Sequence, residues 1–322
     1  MTLSRRQLLS GAAGAAMAAT ALSHSRIATA KGTQASGPLP GVVRRRIGDI
    51  QVTALLDGYM EMPAGLFSAP KAEAERLKKL AFKSSQPNLS PVNAFLLTVG
   101  DRLILIDSGA ANSFGPTLGR LPQALAANGI GVEQIDAVLL THMHPDHIAG
   151  TIDASGQAVF PNAEMILPEA DFRYWHDDGA MAGAPNAFKP FFSGARQAVK
   201  AYRGRTTQIS GEKEVMAGVR ALPLHGHTPG HTGYLVTSGD EALFIWADII
   251  HNATFQLAHP EWGPTFDVDP AQAAKTRQRA LDMAAADELM VAGMHLPFPA
   301  VGYIEARTEG FGYMTADWPY HL

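Results

Sequence analysis

The chain of 322 residues contains no cysteine. That absence removes disulfides, thiolate nucleophiles and Cys-ligated zinc or iron–sulfur sites together. Charge is sparse as well, at 17% of residues, and nearly balanced: 26 Lys and Arg against 30 Asp and Glu, for a net −4. A protein that grips nucleic acid by its phosphates carries a basic footprint, so no nucleic-acid partner is expected. Long apolar runs are also missing. The weakly apolar Ala/Gly stretch from Ser10 to Leu22 is shorter than the roughly 20 residues a bilayer-crossing helix needs, which argues against a stable membrane anchor. No internal repeat is visible. What remains is 46% hydrophobic, enough for one large core without covalent support.

The N-terminus reads as an address. Ser4-Arg5-Arg6-Gln7-Leu8-Leu9 is a twin-arginine signature, and Ala28-Thr29-Ala30 offers a small-residue cleavage site. Residues 1–30 are therefore expected to be a removed signal peptide, residues 31–41 a flexible tether, and residues 42–322 a single globular domain acting in the periplasm. The lack of cysteine suits a protein exported already folded, with no disulfide to form after export and no thiol to be oxidised.

Histidine is scarce, 12 in the chain, yet three of them share Thr141-His142-Met143-His144-Pro145-Asp146-His147 with an aspartate. The preceding Ala137-Val138-Leu139-Leu140 reads as a buried strand, which puts this group at a strand end. Three further strand-like runs end the same way. Leu222-Pro223-Leu224 leads to His225-Gly226-His227-Thr228-Pro229-Gly230-His231, Ala242 to Ala247 leads to Asp248, and Leu289 to Met294 leads to His295. Imidazoles and carboxylates seldom follow strands this apolar unless something pairs them, and they are the ligands that borderline divalent ions prefer.

The series His-x-His-x-Asp-His followed by spaced His, Asp and His resembles the metallo-β-lactamase superfamily of dinuclear metallohydrolases, over about residues 42 to 310. Within it the chain most resembles the methyl parathion hydrolases, which are zinc phosphotriesterases. That likeness is carried by Asp107 to Ala111, Phe114 to Leu121, and His295 through Pro297-Phe298-Pro299. The resemblance implies an α/β fold, an αββα sandwich with two mixed sheets between helical layers. It implies two divalent ions, zinc in the family, with His142, His144 and His227 on one, Asp146, His147 and His295 on the other, and Asp248 bridging. A hydroxide shared by the ions would then be the nucleophile, with Asp146 and Asp248 as the catalytic carboxylates. There are two local departures. Ala247 stands where the family usually has glycine, and His251 where an apolar pocket residue is expected.

Asp107 and His231 are expected to hold the ligands from behind, His225 to point away, and Arg277 and Arg279 to form a solvated helix face. Phe114, Trp175, Phe191 and Phe192 are expected, by resemblance, to line a hydrophobic entrance, with His251 making it more polar. Such a rim favours a small neutral substrate: an ester, a lactone or a phosphotriester. A β-lactamase is the alternative, but its substrate carboxylate calls for a nearby Lys or Arg that the motifs do not show. A redox protein on the same scaffold is a weaker reading, because its known branch replaces a motif histidine that is intact here. A homodimer is left open. Pattern and propensity predict nine strands and five helices, the latter at 71–82, 117–128, 168–175, 188–202 and 270–286.

Overall fold

A computed structural model describes residues 39–320. The expected leader and most of the expected tether lie outside the described residues. The first sheet is made of β1 (Val42–Ile47), β2 (Ile50–Glu61), β3 (Leu89–Val99), β4 (Arg102–Ile106), β5 (Ala137–Leu139), β6 (Glu164–Pro168) and β7 (Thr206–Ile209). The second is made of β8 (Lys213–Met216), β9 (Val219–Pro223), β10 (Thr232–Ser238), β11 (Glu241–Ile245), β12 (Met290–Ala292), β13 (Val301–Ala306) and β14 (Phe311–Thr315). Every strand pairs with its sequence neighbours, and the chain changes sheet once, between β7 and β8. Both sheets are mixed. The steps β4 to β5, β5 to β6, β6 to β7 and β11 to β12 are parallel, and a parallel step needs a crossover. Helices supply it: α1 (Lys71–Leu80) precedes them, followed by α2 (Leu121–Ala127), α3 (Pro145–Ile148), α4 (Glu169–Trp175), α5 (Asp178–Gly183), α6 (Lys189–Ala201), α7 (Ala253–Gln256) and α8 (Pro270–Ala286).

Alternation along the strands sorts the core into layers. Phe95, Leu97, Ile104, Ile106, Ala137 and Leu139 join Val219, Ala221, Tyr234 and Val236 of the second sheet in one cluster between the sheets. Their neighbours Ala94, Leu96, Leu105 and Val138 face the other way, onto Leu121, Leu125, Phe192 and Ala195 of α2 and α6. This is the αββα sandwich expected from the sequence. The Asp269 carboxylate caps α8 as the sequence suggests, accepting the Gln272 N–H at 2.9 Å ahead of Pro270. α2 starts at Leu121, later than expected. The Asp57 carboxylate accepts the N–H groups of Ala110, Gly119 and Leu121 and so holds the residues before it as a turn.

Four loops follow β5, β9, β11 and β12, and carry His142 to His147, His227, Asp248 and His295. β9 and β11 both lie antiparallel to β10, and β12 lies parallel to β11, so these three strands deliver their loops to one edge of the second sheet. One glycine in these loops has a steric reason. Gly226, with φ of +132°, would place a Cβ 2.3 Å from the Ala273 nitrogen at the start of α8, so only glycine lets the His227 loop lie against that helix.

Candidate metal centre

His142 and His144 leave the end of β5 on extended backbone, and Pro145 opens the single turn α3 that carries Asp146 and His147. His142 Nε2, His144 Nδ1 and His227 Nε2 converge, with spacings of 3.0 Å and 2.9 Å along the series. In the second cluster His295 Nε2 lies 3.3 Å and His147 Nε2 3.5 Å from Asp146 Oδ2. Asp248 Oδ2 sits between the two groups, 3.2 Å from His147 and from His295 and 3.4 Å from His227. The residues predicted as metal ligands are thus brought together, and all of them are buried.

The donor set fits two cations. His142, His144 and His227 form one cluster of candidate ligand atoms and Asp146, His147 and His295 another, with Asp248 in a third that includes His142 and His147. His147 Nε2 and Asp248 Oδ1 are buried without a hydrogen-bond partner. Burying such atoms unmatched costs free energy that a bound cation would offset.

The other nitrogen of each of these histidines except His144 is tied down, which leaves the inward atom free to ligate. His142 Nδ1 lies 3.0 Å from Thr141 Oγ1. Asp107 accepts Thr141 N–H and Oγ1–H and bonds His147 Nδ1 at 2.7 Å. His227 Nδ1 bonds Asp267 Oδ1 at 2.7 Å, and His295 Nδ1 donates to the Pro91 carbonyl at 2.8 Å. His231 supports the ligands from behind as expected: its Nδ1 donates to the Leu224 carbonyl, its Nε2 accepts the Asp248 N–H at 3.1 Å, and its ring meets those of His142 and His227 edge to face. Asp107 and Ala247 both adopt left-handed backbone, at φ of 58° and 54°. At Ala247 this accounts for the glycine usual in the family.

Sequence reasoning missed three buried polar groups of the site, because none stands in a motif. Asp171, on α4, accepts Met143 N–H at 2.9 Å and Gly230 N–H at 2.6 Å and so ties the two histidine loops together. Asn93, on β3, donates to the Met294 and Leu296 carbonyls on either side of His295. Asp267 has only its N-cap neighbour Asp269 as a sequence signal.

Burial disfavours charge on every ligand, and the partners decide the outcome. Hydrogen bonds to Asp248 and Asp267 override burial and raise His227 to about 9. The charge of Asp248, with Asp146, raises His295 to about 10. Burial takes His231 down to about 3, leaving it neutral. In the metal-free protein His227 and His295 therefore hold protons at neutral pH, and an arriving cation must displace them. Both values are raised, so proton competition grows as pH falls below them. Metal uptake near neutral pH is expected to release protons, with apparent affinity climbing as pH rises. Calorimetry in buffers of different protonation enthalpy counts the protons, and uptake without release would contradict this electrostatic picture.

The centre opens into a cavity of about 240 Å³, lined beside His144, Asp146, Asp248 and His295 by Met60, Met62, Phe114, Phe188, Phe191 and Phe266, among others. Phe114 and Phe191 meet edge to face at 5.9 Å. Trp175 and Phe192 are not on this wall. They line an adjoining cavity with His144 and Phe191, and at 2% and 1% exposure they belong to the core beneath α6. His251 is also displaced from the expected position. It stacks on His295 and reaches 3.1 Å from Asp248 Oδ2, buried behind the ligands and off the cavity wall. Burial lowers it to about 4, so it is neutral. Its position also makes it a candidate donor in a fourth cluster with His227 and Asp248. Arg277 is fully buried, contrary to its expected place on a solvated face, while Arg279 is exposed.

Residues 87–295 match the family model of the metallo-beta-lactamase superfamily. The chain belongs to that superfamily. The hydrolase AbOPH of the beta lactamase superfamily is 32% identical, with a TM-score of 0.82, over 87% of this chain and 99% of that one. AidC, a dizinc quorum-quenching lactonase solved with its product N-hexanoyl-L-homoserine, is 26% identical with a TM-score of 0.82, over 87% of this chain and 98% of its own. Among curated proteins, the uncharacterized YobT of Bacillus subtilis is 29% identical over 152 residues, 47% of this chain. That match spans 59% of YobT.

Proposed function

We propose that this superfamily hydrolase is a dinuclear zinc enzyme that opens small neutral esters, lactones first and phosphotriesters more slowly. The carrying observation is the pairing of two buried His/Asp clusters with an apolar cavity that has no Lys or Arg among its described lining residues. A β-lactam substrate would bring a carboxylate into that wall unmatched, beside the acidic Glu61. A neutral lactone brings none. The likeness to a dizinc lactonase supports the ester reading, and the sequence resemblance to methyl parathion hydrolases supports the phosphotriester arm.

Two divalent ions bound there would supply hydroxide at ordinary pH and positive charge for the oxyanion that develops on attack. The protein's own residues do the rest. Phe114, Phe191 and Phe266 pack the apolar part of the substrate and exclude water around the reacting carbonyl or phosphorus. Asp248 lines the same cavity and lies between the two histidine clusters, where its carboxylate would help hold both ions beside the reacting group. Asp107, Asp267 and the Pro91 carbonyl keep the imidazoles in the tautomer whose inward nitrogen carries no proton.

A panel assay of zinc-loaded protein tests this reading. Turnover should be highest on a lactone, measurable on an aryl ester, weaker on methyl parathion and negligible on a cephalosporin. Rapid cephalosporin hydrolysis with inert esters would overturn the substrate class.

A further inference from the structure

Arg277 projects from α8 into the interior and is 1% exposed. A buried guanidinium is costly unless its N–H groups are matched. Here all three of its nitrogens find acceptors. Nε donates to the Ile249 carbonyl at 2.8 Å, Nη1 to the Pro260 carbonyl at 2.7 Å, and Nη2 lies 3.4 Å from Asp267 Oδ2. The other oxygen of Asp267 holds His227 Nδ1 at 2.7 Å. One planar fork therefore grips both ends of the segment between Asp248 and Asp267, which also delivers Phe266 to the cavity wall.

The fork bears unequally on the two clusters. Of the ligands, His227 depends on Asp267, and Asp267 is the carboxylate that Arg277 contacts. Asp248 has a separate hold through its N–H on His231, while His147 and His295 are set by Asp107 and the Pro91 carbonyl. We infer that Arg277 is a positioning residue for one ion only, acting through Asp267 on His227, so that its loss weakens the ion held by His142, His144 and His227 and spares its neighbour. This rests on the dinuclear reading above.

The test compares wild type, Arg277→Met, Asp267→Asn and the double variant, each loaded stepwise with Co²⁺ against a competing chelator. The shifted imidazole N–H resonances identify which histidines each ion occupies. Wild type should take up both ions, and failure at that step would count against the dinuclear reading itself. Given two ions, each single variant should bind the His142/His144/His227 ion about 10- to 100-fold more weakly and the other unchanged. The double variant should be no weaker than either single one, because both changes cut the same connection. Equal weakening of both ions, full additivity, or a loss of thermal stability with both affinities intact would overturn the inference and leave Arg277 a clamp on the fold. If Arg277→Met does not fold, Arg277→Lys, which keeps the charge but not the fork, is read by the same outcomes.

Discussion

Asp248→Ala is expected to lower lactone turnover by more than about 100-fold, the upper end of what a partner behind a ligand contributes. Its Oδ2 lies within 3.2 Å of His147 and His295 and 3.4 Å of His227, so its loss unhooks both clusters at once. It also removes the negative charge that keeps His295 at about 10 and His227 at about 9, leaving a group of buried imidazoles with one carboxylate fewer to balance a cation. His231→Gln provides the contrast. His231 binds no ion: it hydrogen-bonds the Asp248 N–H and the Leu224 carbonyl and packs edge to face on His142 and His227, and its loss should stay below about 100-fold. Steady-state kinetics on reloaded proteins compares the two, and equal losses would mean that Asp248 is not shared between ions.

The second large effect is on stability. Asp171→Ala leaves three buried donors without an acceptor: Met143 N–H, Gly230 N–H and Trp175 Nε1. Each orphaned donor costs about 1–3 kcal/mol, so the variant should lose on the order of 3 kcal/mol or more and melt several degrees lower. Because Asp171 joins the loop of His144 to that of His227, weaker metal retention should accompany the lower Tm. Asp171→Asn, which keeps one acceptor oxygen and the volume, should recover part of both. Differential scanning calorimetry with and without zinc separates these effects, and an unchanged Tm would refute the role assigned to this carboxylate.

The features legible in the sequence share one property: they are local in the chain. The histidine motif, its strand and the turn after it lie within about a dozen residues, and alternation on β3, β4 and β5 marks the buried faces. The strands that escaped notice are β1, β7, β8, β13 and β14. Four of these are sheet edges, where charge is tolerated because one side meets solvent. Arg44, Arg45 and Arg46 on β1 and Lys213 and Glu214 on β8 therefore hide the strand signal. The supporting groups were illegible for a different reason. Asp171 acts on residues 28 and 59 positions away and Arg277 on residues 10, 17 and 28 positions away, in loops that approach only after folding, and nothing nearby in sequence marks them. Arg277 is the sharpest case. On a helical wheel it joins the inward stripe of Ala273, Ala280 and Ala284, yet charge alone suggested the solvent side.

Trp175, Phe192 and His251 show the limit of reading a pocket from residue type. Aromatics at helical spacing on α4 and α6 serve core and wall alike, and only the packing of α6 against the first sheet separates Phe191, on the wall, from Phe192, beneath it.

The most direct measurement is the metal content of the purified protein after full reloading. Elemental analysis should find about two divalent ions per chain, activity should vanish with a strong chelator, and zinc, cobalt or manganese should restore it. One ion or none per chain, with activity retained, would contradict the dinuclear centre.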